Sequence, residues 1–168
     1  MTHASERLVQ WMRDAHAMEQ QAETILKNEA KRIEHYPELK SRIEHHLEET
    51  RQQAERLQTR IDQLDGGTSA IKDTMGSLMG FAQSMSGMFA GDEVLKGSLA
   101  NYAFEHMEIA SYKMLIATAE EVGDTDTKRV CEQNLREEEA MAEWLDEHIG
   151  SVTRQFIARE SLGETAKH

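Results

Sequence analysis

The sequence predicts an all-α protein, an antiparallel four-helix bundle with one long crossover connection. Three observations carry that prediction. Apolar residues recur at steps of three and four through four long segments, which is the period of a helix face. The composition is rich in Ala, Leu, Met, Glu, Gln and Arg, with Pro37 as the one proline, and such residues favour helix. Two breaks between segments are only a few residues long, while the third runs over residues 66–91. Short breaks join antiparallel neighbours, and one long break suits a crossover. At 168 residues the chain is one domain with room for a real core.

The first helix is expected over residues 5–34, with an inward line of Leu8, Met12, Ala15, Glu19, Ala22, Leu26, Glu29 and Ile33. Trp11, Met18 and Ile25 widen it on one flank. The run breaks at HYPE, where Pro37 suits the first turn of a new helix. The second helix covers residues 37–64 on the line Leu39, Ile43, His46, Thr50, Gln53, Leu57, Ile61 and Leu64, and Asp65-Gly66-Gly67 stops it.

Residues 66–91 change texture to glycine and methionine. They read as a connection within one domain, with a short helix near residues 69–79. Met75, Met79, Phe81, Met85, Met88 and Phe89 serve there as packing material or as a subunit interface. The third helix follows Asp92, a good N-cap residue, and ends at Gly123-Asp124. The fourth covers residues 125–149 on the line Cys131, Leu135, Glu138, Ala142, Leu145 and Ile149. The bundle thus occupies residues 1–150, and residues 151–168 add a short helix and a fraying tail.

Several function classes fall away. A net charge of −12 argues against nucleic acid or an anionic membrane as partner. The lone Cys131 makes no internal disulfide, which fits a reducing cytoplasm. MTHASERLVQ lacks a signal-peptide pattern, and no apolar run reaches bilayer length. Gly66-Gly67 lacks the lysine and preceding strand of a phosphate-binding loop.

Every helix then shows one anomaly, an acid on the face meant for the core. Glu19 sits in mid-line on the first helix. His46 sits on the second, with Glu49 beside it. On the third, Glu105 follows the line Ser98, Tyr102, Glu105, Ile109, Tyr112 and Ile116, and Glu108 the adjoining line Asn101, Glu108, Leu115 and Val122. Glu138 is the acid of the fourth line. Heights agree as well: Glu108 and Glu138 each lie 15 residues from Gly123, and Glu19 and Glu49 flank the Pro37 turn at comparable distances. An ionised carboxylate buried without a partner costs several kcal/mol, so about five together rival the whole stability of a domain. No basic residue occupies the lines at those levels. Two divalent cations on hard oxygen ligands resolve the conflict. The candidate metal ligands are therefore Glu19, His46, Glu49, Glu105, Glu108 and Glu138. His46 fits a ligand, a hydrogen-bonding neighbour of one, or a histidine at the core edge. His45 and His106 point outward, Tyr112 packs or hydrogen-bonds a ligand carboxylate, and Cys131 is a small core residue.

The segments RDAHAMEQQAE, RIEHHLEETRQQAERL, YAFEHMEIASYKMLIATAEEVGD and NLREEEAMAEWL resemble the YciE/YciF bacterial stress-response proteins, with the YciE branch the nearer. The resemblance covers most of the chain. It implies a ferritin-like bundle, a homodimer, and a di-iron or di-manganese centre related to that of rubrerythrin. In that pattern the first-helix Glu falls at Glu19, the second-helix Glu at Glu49, the paired Glu-x-x-Glu at Glu105 and Glu108, and the fourth-helix Glu at Glu138.

Departures are visible too. The second helix reads Glu49-x-x-Gln52 where Glu-x-x-His is usual, with His46-x-x-Glu49 in reverse, and the fourth reads Glu138-x-x-Met141. His148 lies about 15 Å further along. Fewer nitrogen ligands give a harder site and favour manganese over fast iron–oxygen chemistry. The expected activity is peroxide or oxygen chemistry at a di-metal site on a small oxidant. The alternatives are metal storage without catalysis and a metal-free structural stress protein that dimerises through the Met-rich crossover.

Overall fold

A computed structural model of the chain describes residues 2–65 and 92–167. Four α-helices make up these residues: α1 (His3–Arg32), α2 (Pro37–Asp65), α3 (Glu93–Val122) and α4 (Thr125–Ser161). There is no strand among them. The expected connection and its short helix at residues 69–79 lie outside the described residues.

Local chemistry fixes each end. Thr2 caps α1, its hydroxyl accepting from the Ser5 backbone N–H at 3.2 Å, so the helix starts two residues before the position read from periodicity. Pro37 opens α2, and the Tyr36 carbonyl accepts the first helical bond from Lys40 at 2.9 Å. Between α3 and α4 the chain reverses through Gly123 at φ +74°, a left-handed conformation that glycine adopts without strain. Asp124 then accepts the Thr127 N–H at 3.0 Å and the Arg60 guanidinium at 2.8 Å. Asp92 precedes α3, yet its side chain makes no cap hydrogen bond and pairs with Lys96 at 2.8 Å.

Contacts set the topology. α1 packs on α2 and α3, and α4 on α3 and α2. Tyr112 meets Glu19 while Asn101 meets Glu29, so α1 and α3 run antiparallel. Arg56 meets Glu137 and Arg60 meets Asp124, so α2 and α4 do as well. α2 and α3 are then parallel, and residues 66–91 join opposite ends of the bundle. This is the one-crossover arrangement.

The fourth helix is longer than the sequence suggested. The expected end at residue 149 and the separate short helix after it give way to one α4 that continues to Ser161. The line Leu145, Ile149, Val152, Phe156 keeps its period through the glycine, and Val152 and Phe156 are buried with Tyr36, Leu39 and Val94. That burial outweighs the roughly 1 kcal/mol helix cost of one glycine. The tail does not fray either: the Tyr36 hydroxyl donates to the Ala166 carbonyl at 2.6 Å, and Val94 N–H donates to Lys167 at 3.1 Å.

Two large apolar cores fill the bundle, beside a small cluster of Met18, Ala22 and Phe104. One gathers Leu26, Ile33, Tyr36, Ile43, Leu145 and Phe156, and the other Leu8, Met12, Leu57, Leu115, Ala119 and Cys131. Between them lies a polar layer.

Candidate metal centre

That layer is built by one or two turns from each helix. Glu19, His46, Thr50, Gln53, Glu105, Glu108, Asn134 and Glu138 are all buried. Each sits on its helix's inward face at the level where the two cores leave a gap. His46, Glu105 and Glu138 bring one ligand atom each to within 4.8 Å of one another. His46 Nε2 lies 3.2 Å from Glu105 Oε2 and 3.3 Å from Glu138 Oε2. One Nε2 proton cannot point straight at both oxygens, and neither oxygen has an aligned donor.

Glu49 stands on the other edge of the same ring. Its Oε2 lies 2.9 Å from His46 Nδ1 and 3.2 Å from Arg42 Nη1, and its Oε1 is 3.2 Å from His45 Nε2. It is half-buried and outside the group of three. Burial disfavours its charge, but the His46 and Arg42 contacts prevail and hold its carboxyl down at about 2. Glu108 has both oxygens buried with no aligned donor. Glu19 accepts the Tyr112 hydroxyl on Oε1, and its Oε2 has no partner. Asn134 donates to the Tyr112 oxygen at 2.9 Å, so Asn134, Tyr112 and Glu19 form one chain of hydrogen bonds.

Protons gather in the layer. Burial pushes Glu19 well up, and the neighbouring Glu138 adds to it. Burial also pushes Glu108 well up, with Glu138, Glu19 and Glu105 adding their charge. Burial takes Glu138 to about 8 even though His46 opposes it. Burial alone would lower His46, but Glu105 and the other carboxylates around the ring carry it well above its usual value. Tyr112 is pushed up by burial and by Glu19 and Glu138, so it stays a phenol that donates. Four acids and one imidazole thus share a low-dielectric space with too few cations.

The neighbouring residues resolve as follows. His45 and His106 are exposed. Tyr112 hydrogen-bonds the Glu19 carboxylate as well as packing. Cys131 is buried in the second core, where burial raises its thiol to about 12. Sequence reading missed Asn134, because the inward line of α4 runs through Asn134 while Leu135 is only half-buried. Its position four residues before Glu138 was the available signal. Glu29 is a further buried acid, away from the group, with Asn101 donating to it at 2.7 Å.

A family model described as "Domain of unknown function (DUF892)" matches residues 3–158. The chain belongs to the DUF892 family. Solved structures agree. A protein from Xanthomonas campestris is 43% identical with a TM-score of 0.80, over 95% of this chain and 99% of that one. YcfI from Rhodopseudomonas palustris is 28% identical with a TM-score of 0.76, over 87% and 94%. The E. coli stress protein YciF is 24% identical with a TM-score of 0.73, over 89% and 96%. The resemblance to YciE/YciF proteins read from the sequence therefore holds, as does the bundle it implied. Among the described residues of this DUF892 protein, no helix is long and apolar enough to cross a membrane.

Proposed function

We propose that this DUF892 protein is a bacterial stress-response protein whose buried polar layer binds two divalent cations, iron or manganese. The observation that carries the reading is Glu108, fully buried with neither carboxyl oxygen partnered, in a layer that buries Glu19, Glu105 and Glu138 as well. A native core seldom keeps such atoms unpaired unless something else meets them.

The donor set fits the group. Hard carboxylate oxygens with one imidazole suit manganese or iron. His46 Nε2, Glu105 and Glu138 would hold one ion, and Glu108 and Glu19 would supply carboxylate oxygens for the second. Glu49 acts behind His46: its contact at Nδ1 keeps the ring proton on that edge and frees Nε2 to ligate. Tyr112, itself held by Asn134, orients Glu19 through its hydroxyl. The apolar cores on either side keep bulk water out. Bound iron or manganese would supply one-electron redox chemistry toward a small oxidant such as peroxide or oxygen.

Calorimetric titration of metal-free protein with Mn(II) and Fe(II), beside Glu138→Gln, tests the binding. Saturable uptake near two ions per chain that the variant loses is expected. Uptake unchanged in the variant sinks the proposal. Peroxide consumption by loaded protein then separates catalysis from storage.

A metal-free reading draws on His46, which sits within 3.3 Å of Glu49, Glu105 and Glu138. As an imidazolium it offsets part of their charge and ties α2 to α3 and α4. Its signature is a melting temperature indifferent to both chelator and added metal.

A further inference from the structure

Gln53 of α2 lies in the polar layer without a partner. It is 0% exposed, and neither the oxygen nor the nitrogen of its carboxamide has a hydrogen-bond partner among the described residues. Buried side-chain polar groups are nearly always bonded. A buried carboxyl can relieve its cost by taking up a proton, but a carboxamide has no such route.

Contacts fix its height in the bundle. The Gln53 backbone carbonyl accepts from Asn134 Nδ2 at 3.5 Å, Asn134 donates to the Tyr112 oxygen at 2.9 Å, and Tyr112 donates to Glu19. One residue from each helix therefore meets at this level. It stands about one turn along from Glu108 and Glu138, since Tyr112 follows Glu108 by four residues and Asn134 precedes Glu138 by four. Three buried oxygens here lack a donor: Glu19 Oε2, Gln53 Oε1 and Asn134 Oδ1.

Charge explains why a neutral residue stands at this place. Ionised Glu19, Glu105, Glu108 and Glu138 carry four negative charges, which two divalent cations already balance. Glu49 is balanced separately by Arg42 at 3.2 Å. A further buried carboxylate would leave an uncompensated charge in a low-dielectric space. A carboxamide oxygen supplies a hard donor and no charge. Because neither end of the Gln53 amide is engaged, a half turn presents its oxygen without breaking a bond.

We propose that Gln53 ligates the second cation through Oε1, beside the carboxylates of Glu19 and Glu108. The second ion then has oxygen donors only, while the first has His46 as well. The inference rests on the two-cation reading above and adds to it a ligand and the reason that ligand is uncharged.

Mn(II) titration of the full chain, read by calorimetry and by electron paramagnetic resonance, tests it in wild type, Gln53→Leu and Gln53→Glu. The wild type is expected to take up two ions that give the coupled spectrum of neighbours. Gln53→Leu should keep the first ion with an isolated-ion spectrum and bind the second at least about tenfold more weakly. Gln53→Glu, which restores an oxygen, should again take up both. Gln53→Met, which keeps the length without the amide, replaces Gln53→Leu if that variant does not fold. Two ions bound as tightly by Gln53→Leu as by wild type would overturn this proposal alone and leave the metal centre standing. So would a Gln53→Glu that loses the second ion as the leucine variant does. A wild type that takes up no ion would overturn it together with the reading beneath it.

Discussion

Replacing Glu108 with leucine should make the metal-free protein more stable, the reverse of what core substitutions usually do. Glu108 is 0% exposed, and both of its oxygens lack an aligned donor. A buried polar atom without a partner costs about 1–3 kcal/mol. A proton shared with the nearby Glu138 recovers part of that for two oxygens, so the net gain from Glu108→Leu is on the order of 2 kcal/mol. Leucine fills similar space in the gap between the two cores. For a domain of this size the gain corresponds to about 4–8 °C in melting temperature. Scanning calorimetry in chelator near pH 8 reads it directly, because there the wild type pays the most for its acids. In excess Mn(II) the order should invert. The wild type gains about 2.7 kcal/mol at a hundred times its Kd, and the variant gains little. A variant that melts lower than wild type in chelator, or that keeps the full metal-dependent rise, refutes the reasoning.

Other perturbations probe separate parts of the account. Glu49→Gln should keep the fold but lower metal affinity by about 10–100-fold in calorimetric titration, and an unchanged affinity removes Glu49 from its role behind His46. Burial raises Glu29 from 4.5 to about 7, outweighing the Asn101 hydrogen bond and the Arg32 charge that favour its ionised form. A raised acid contributes fully below 4.5 and loses that contribution as pH rises through about 7. Urea melts should therefore show wild type losing stability relative to Glu29→Gln across that window, and parallel curves contradict it. Phe156→Ala should cost about 3–5 kcal/mol in denaturant titration, whereas a frayed segment beyond Gly150 would cost almost nothing.

The fold was legible because periodicity reports which face is buried, and that face does not depend on the partner. The inward placement of Glu19, Glu105, Glu108 and Glu138 was legible for the same reason, since each falls on a line that otherwise faces the core. Three features escaped. Asn134 is an ordinary polar residue beside an apolar leucine, and only its spacing to Glu138 marked it. The fourth helix was expected to end at residue 149, before Gly150, while Val152 and Phe156 carry α4 on through tertiary burial. Glu49 looked like one more acid of the layer, yet rotation about the helix sets it on the Nδ1 edge of His46, and a one-dimensional line cannot separate the two edges of a ring.

The most direct test is a crystal of the protein grown or soaked with Mn(II) and measured for anomalous scattering. The account predicts peaks between His46 Nε2, Glu105 and Glu138 and beside Glu108 and Glu19, with Glu49 still bonded to Nδ1. A polar layer without anomalous density, with manganese only at exposed acids or at His45 and His148, would contradict it.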